Sequence, residues 1–228
     1  MELENRAPST LRERYLHLLD ELAAEKRAAG RSNDPVRIVA VTKKQPRETV
    51  LRAIEAGIGE IGENYVQEAN GKFGGLPPVR KHFLGHVQTN KAKAIVAAFD
   101  SVQSVDRLDA GRALAKAARS SGKPLPVLLQ VNVSPVDRFG TKPEEAEHLA
   151  EALRREGLDV DGVMAIGPIT EDRGEIRRAF ERAARAFERV GGTTLSLGMS
   201  GDWREAIQAG STMLRLGTAL FGERRTSV

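Results

Sequence analysis

The sequence predicts an α/β fold, a single (β/α)8 barrel with an additional N-terminal helix, and three observations predict it. From Val36 onward, eight apolar runs of β-type composition alternate with amphipathic helical segments. The alternation spans a chain of 228 residues, the scale on which eight βα units close on themselves. No linker, internal repeat or low-complexity tract interrupts it. Residues 1–228 therefore read as one domain, with 1–35 as the N-terminal helix and lead-in and 36–222 as the barrel.

The elements follow in order. STLRERYLHLLDELAAEKRAAG (9–30) predicts a helix ahead of the barrel. VRIVAVT (36–42) is the first strand and PRETVLRAIEAG (46–57) its helix, with proline at the start and glycine at the end as capping favours. EIGE (60–63) is followed by NYVQEANGKF (64–73), KHFLG (81–85) by NKAKAIVAAF (90–99), and SVQSV (101–105) by RLDAGRALAKAARSS (107–121). The fifth strand, LPVLLQVNV (125–133), leads to EEAEHLAEALRREG (144–157), and the sixth, VDGVMAI (160–166), to EIRRAFERAARAFERV (175–190). TLSLGM (194–199), the helix DWREAIQAG (202–210) and TMLRLG (212–217) complete the set. The helices number eight, because the first one takes the place of a helix missing after the last strand. A doubly wound open sheet is the rival fold. Its case rests on GIGEIG (57–62), a literal G-x-G-x-x-G. That motif binds a dinucleotide where a strand ends and a helix begins; here a helix ends and a strand begins.

Composition narrows the function. Hydrophobic content of 40% and charged content of 29% are those of an ordinary globular protein, and no apolar run approaches the roughly 20 residues of a membrane span. The first 22 residues are charged throughout, unlike a signal peptide, so cytoplasm is the expected location. The absence of cysteine excludes disulfides, thiolate metal sites and a cysteine nucleophile. Net charge is +4, but arginine and lysine are interleaved with glutamate and aromatics are only 4%. Those are solvated helix faces and not a nucleic-acid stripe. His82 and His86 share a strand face without an evident third ligand, so no metal is expected.

In a barrel, chemistry sits at the C-terminal ends of the strands. Three features gather there. GMSGDW (198–203) and RLGTA (215–219) supply small residues and helix starts after strands seven and eight, the place where barrels hold phosphate. Arg215 is embedded in the apolar strand TMLRLG, and a guanidinium there needs a partner, from the protein or from a ligand. Lys43 and Lys44 end the first strand, and a desolvated or cation-flanked lysine is more readily the neutral, nucleophilic amine. Together these suit a phosphorylated aldehyde held as a lysine Schiff base. Strand parity does not choose between the lysines, because both faces of that strand are apolar.

Segments in this order carry a resemblance: AVTKKQP (40–46), GENYVQEA (62–69), HFLGHVQTNK (82–91), SVDR (104–107), LLQVNVS (128–134), GVMAI (162–166), LSLGMSGD (195–202) and AGSTMLRLGTALFG (209–222). The chain resembles the pyridoxal phosphate (PLP) homeostasis proteins. What the resemblance implies is a TIM barrel like the N-terminal domain of alanine racemase, with PLP on one lysine. Matching AVTK to the family pattern puts the Schiff base on Lys43, with Lys44 as a neighbouring charge at the rim. Ser200, Gly217 and Thr218 would hold the phosphate, Arg215 would face the pyridine nitrogen, and Asn64 would line the pocket. The chain departs from the pattern at Ile61, Lys81, Val87 and RFG (138–140), and because of the last the resemblance assigns no role to the loop 134–142.

An arginine at the pyridine nitrogen disfavours its protonation and so weakens the ring as an electron sink. The chain ends at Val228, with no further domain to bring a second base, and its only tyrosines are Tyr15 and Tyr65. The expectation is a monomeric, cytoplasmic PLP carrier with no catalytic residue, no metal and no nucleic-acid or membrane partner. It would hand the cofactor to PLP-dependent apoenzymes. The alternatives are a racemase-like PLP enzyme acting on amino acids and, from another class, a nucleic-acid binder using its basic surface.

Overall fold

Eight parallel strands close into a barrel in chain order, with β8 pairing back onto β1. They are β1 Arg37–Val41, β2 Glu60–Glu63, β3 Arg80–Phe83, β4 Ser101–Val105, β5 Pro126–Val131, β6 Asp159–Ala165, β7 Thr194–Ser196 and β8 Met213–Leu216. The computed structural model describes residues 10–223, so the Ser9 start of the first predicted helix lies outside the described residues. The helices are α1 Leu11–Ala28, α2 Arg47–Glu55, α3 Val66–Phe73, α4 Ala92–Ala98, α5 Leu108–Ser121, α6 Ala146–Arg155, α7 Arg173–Val190, α8 Trp203–Gln208 and α9 Thr218–Phe221.

The strands read as continuous apolar runs because both of their faces are covered. Ile38 and Ala40 of β1 pack outward into the layer shared with the helices, as do Leu214 and Leu216 of β8. The intervening Val39, Met213, Leu128 and Met164 are equally buried but lie outside that layer, in the barrel interior. Side-chain alternation along each strand thus assigns faces that the sequence left open.

The helices bury one stripe each. In α7, Ile176, Ala179, Phe180, Ala183, Ala186 and Val190 recur at helical spacing, and the side chain of Asp172 accepts the N–H groups of Gly174 and Glu175 at 2.7 and 3.2 Å. The cap therefore lies before the predicted start at 175. Phe180 is fully buried, which contributes on the order of 1.5–3 kcal/mol of transfer free energy. Single 3-10 turns, Thr89–Lys91 and Pro143–Glu145, open the approaches to α4 and α6 that sequence periodicity assigned to the helices themselves.

One expectation is corrected. A ninth helix, α9, does follow the last strand, although it has only four residues. It is too short to show periodicity, and its capping oxygen comes from a distant loop. α1 still occupies the predicted place: Arg14 Nε donates to the carbonyl of Leu220 at 2.7 Å, and Gln208 of α8 bonds Glu25 of α1 at 2.8 Å.

Candidate functional site

At the C-terminal end of β1 the chain makes a four-residue turn, closed by Gln45 N–H to Thr42 C=O at 2.9 Å, with Lys43 and Lys44 at its central positions. Thr42 faces the helix layer, where its hydroxyl donates to Glu63 Oε1 at 2.8 Å. Lys43, one residue further, carries no hydrogen bond or ion pair with a described residue and is half-buried. Lys44 is exposed and has φ +61°, and it is the one non-glycine residue with positive φ among the described residues. Its N–H donates to Glu68 Oε2 at 2.8 Å.

Behind the turn lies a charge cluster on β2 and α3. Lys72 Nζ donates to Glu63 Oε1 at 2.7 Å, to Glu68 Oε2 at 2.8 Å and to the carbonyl of Thr42 at 2.9 Å, which uses all three of its protons. The Lys72 hydrogen bond, with the Lys44 amide, holds the Glu68 carboxyl below the usual range. Glu63 is fully buried and its Oε2 has no partner among the described residues.

Arg215 points from β8 into the barrel. It is buried, and burial pushes its guanidinium down to about 10, with the carboxyl of Asp202 opposing the shift. Nη1 donates to the carbonyl and hydroxyl of Ser196, at 2.8 and 2.7 Å, and Nη2 donates to the carbonyl of Ala165 at 2.8 Å. Two of its five N–H groups, on Nε and Nη2, are left without a partner among the described residues. From Ser196 a chain of bonds crosses the interior. The hydroxyl donates to Gln103 Oε1 at 2.8 Å, Gln103 Nε2 lies 3.0 Å from His82 Nδ1, and His82 Nε2 lies 2.8 Å from Glu60 Oε2. Burial holds His82 below the ordinary histidine value, so the neutral ring accepts from Gln103 and donates to Glu60. Every donor in the chain points from the cation toward the anion. His82 is thereby committed to the core.

The three residues predicted to hold phosphate lie together. Ser200 Oγ accepts the N–H of Gly217 at 3.3 Å and of Ala219 at 3.1 Å, so it caps α9 and draws Ser200, Gly217 and Thr218 together. Gly217 lies beside the end of β1: a Cβ there would stand 3.9 Å from the carbonyl oxygen of Val41. Asp202 Oδ1 accepts the N–H of Met199 at 2.6 Å, and burial pushes its carboxyl up.

Asn64 follows β2 and lines a cavity of about 480 Å³ with Tyr65, His86, Gln130, Phe139 and Ile166. Gly85 makes this wall: a Cβ would lie 2.0 Å from the Asn64 carbonyl oxygen, so only glycine lets β3 approach. The His86 ring stacks on Phe139 with centroids 3.9 Å apart, and His86 Nε2 lies 3.0 Å from Arg107 Nη1. A larger cavity of about 720 Å³ opens on the β4–β6 side, lined by Asp106, Arg107, Asn132, Arg138 and Ile169. It touches none of the six residues predicted from the sequence.

The structure thus joins Ser200, Gly217 and Thr218, places Arg215 inside the barrel on the strand that leads to them, and puts Lys43 at the end of the neighbouring strand. Asn64 stands just past the end of the next strand over, β2. Sequence reading missed Lys72, Glu68, Ser196 and Gln103. The Glu68–Lys72 spacing of four on a helix was a readable signal; the others become partners only through the closure of the barrel.

The chain matches the family described as "Alanine racemase, N-terminal domain" over residues 19–225. It is 40% identical over 222 residues to a Pseudomonas aeruginosa protein named pyridoxal phosphate homeostasis protein, covering 95% of this chain and 96% of the relative. A protein of the same name from Escherichia coli K12 is 37% identical over 220 residues, covering 90% and 93%. Among solved structures, PipY of Synechococcus elongatus with PLP bound superposes with a TM-score of 0.82 at 30% identity, covering 93% of this chain and 100% of that one.

Proposed function

This chain belongs to the pyridoxal phosphate homeostasis proteins, within the alanine racemase N-terminal domain family, and we propose that it serves PLP homeostasis by holding the cofactor through Lys43 at the barrel mouth. Bound, PLP supplies an aldehyde that a lysine amine can link covalently and a ring that accepts electrons. The residues fit such a group. Arg215 spends three of its five N–H groups on Ser196 and Ala165 and keeps two donors, suited to an acceptor nitrogen. Ser200, Gly217 and Thr218 lie together at the start of α9, where the Ser200 hydroxyl accepts from Gly217 and Ala219 and keeps its own proton to donate to an anion. Asn64 lines the neighbouring wall.

The observation that carries the reading is Arg215, a buried cation inside the barrel with donors to spare, on the strand that leads directly to Gly217 and Thr218. The same residue argues for binding over turnover. A guanidinium at the ring nitrogen keeps it unprotonated, and neither tyrosine supplies a second base: Tyr15 lies in α1, and Tyr65 is 59% exposed without a bond to Lys43. The protein acts as a monomer that releases PLP to PLP-dependent apoenzymes.

The test is absorbance of the PLP-loaded protein before and after borohydride reduction, in wild type and Lys43→Ala. Loss of the trapped adduct in the variant is the expected result; an adduct that persists moves the link to another lysine. Assays for racemase and transaminase activity over a panel of amino acids are expected to show no turnover above background. Robust turnover would establish a racemase-like enzyme in place of a carrier.

A further inference from the structure

Two facts about the β1 turn are independent of the cofactor. Lys44 holds φ +61° at the second central position of a four-residue turn, where glycine is the usual occupant. For a residue with a side chain, the left-handed conformation is disfavoured roughly five- to thirty-fold. Such strain persists only where the surroundings impose it.

The surroundings are specific. Glu68 Oε2 takes the Lys44 N–H at 2.8 Å and is itself held by Lys72 at 2.8 Å. Lys72 also grips the carbonyl of Thr42 at 2.9 Å and the buried Glu63 at 2.7 Å. The residue before Lys43 and the residue after it are therefore tied to one ammonium on α3, while Lys43 itself has no bond among the described residues. We propose that Glu68 and Lys72 are positioning residues: they clamp the turn in its left-handed conformation and so fix where the Lys43 amine stands. This rests on the reading of Lys43 as the PLP lysine. It also assigns Lys44 a backbone role in place of a charge at the rim.

Glu68→Ala is the variant of choice. It cuts the Lys44 tether and leaves Lys72, Glu63 and Thr42 bonded, so no buried charge is orphaned. In the apo protein, exchange of the Lys44 amide hydrogen is expected to accelerate at least tenfold, with the thermal midpoint near that of wild type. PLP affinity is expected to fall roughly five- to thirty-fold, the factor by which the turn's conformation is disfavoured. The double variant Glu68→Ala/Lys44→Gly should bind within about twofold of wild type, because glycine adopts positive φ freely. Glu68→Ala/Lys44→Ala, which removes the same charge but keeps a Cβ, should stay weak. Wild-type affinity in Glu68→Ala, or equal affinities in the two double variants, would overturn the clamp. A covalent adduct that survives Lys43→Ala would instead overturn the assignment of the lysine, whatever the tether does.

Discussion

Gln103→Leu tests whether the interior bond chain supports Arg215. Gln103 is fully buried between Ser196 and His82, and leucine approximates its volume without its amide. The substitution leaves the Ser196 hydroxyl without its acceptor and His82 Nδ1 without its donor, both in a space closed to water. Two orphaned buried groups cost on the order of 1–3 kcal/mol each, and leucine's greater apolar burial returns about 1–2 kcal/mol, which from the middle of each range leaves a net destabilisation of about 2.5 kcal/mol. Urea unfolding followed by circular dichroism measures it as a lowered midpoint at constant slope. The cycle with Ser196→Ala is the sharper arm. If the two act through one bond, their effects fall short of additivity by about 0.5–3 kcal/mol. A loss under about 0.5 kcal/mol, or full additivity, would refute the view that the chain acts as a unit.

Three further outcomes follow from the geometry. Burial keeps His82 below its ordinary value, so the unfolded chain, with histidine near about 6.5, binds more protons than the folded one just below that pH. Stability from the neutral ring is complete above about 6.5 and is lost as pH falls through the window beneath it; His82→Gln should flatten the urea midpoint between about pH 7 and 5.5. Gly85→Ala drives a methyl to 2.0 Å from the Asn64 carbonyl oxygen and should cost about 1–3 kcal/mol in thermal unfolding, while Gly201→Ala, with nothing within 4 Å, should leave the midpoint near wild type. Phe180→Ala should lose about 3–5 kcal/mol by the same measurement, since its ring is fully enclosed under α7.

The barrel was legible in the chain because its strands are apolar on both faces and its helices on one, and those periods survive without any knowledge of contacts. All eight strands were found, with errors at the ends, where a run such as LPVLLQVNV stays apolar beyond its last ladder bond at Val131. The false G-x-G-x-x-G was rejected on element order, and Gly57 does end a helix while β2 follows.

By itself the sequence determined the fold class, the order of the elements and the residues whose chemistry suits a phosphorylated aldehyde. Those depend on period and residue type, which are local. Only the tertiary structure decided which face each strand residue presents, because Ile38 and Val39 are alike in hydropathy and differ only in what closes over them. It also decided what Lys44 touches. Two lysines in a row look equivalent on paper, but Glu68 and Lys72 reach the turn from a helix some 24 residues further along, and that contact exists only once the barrel has closed.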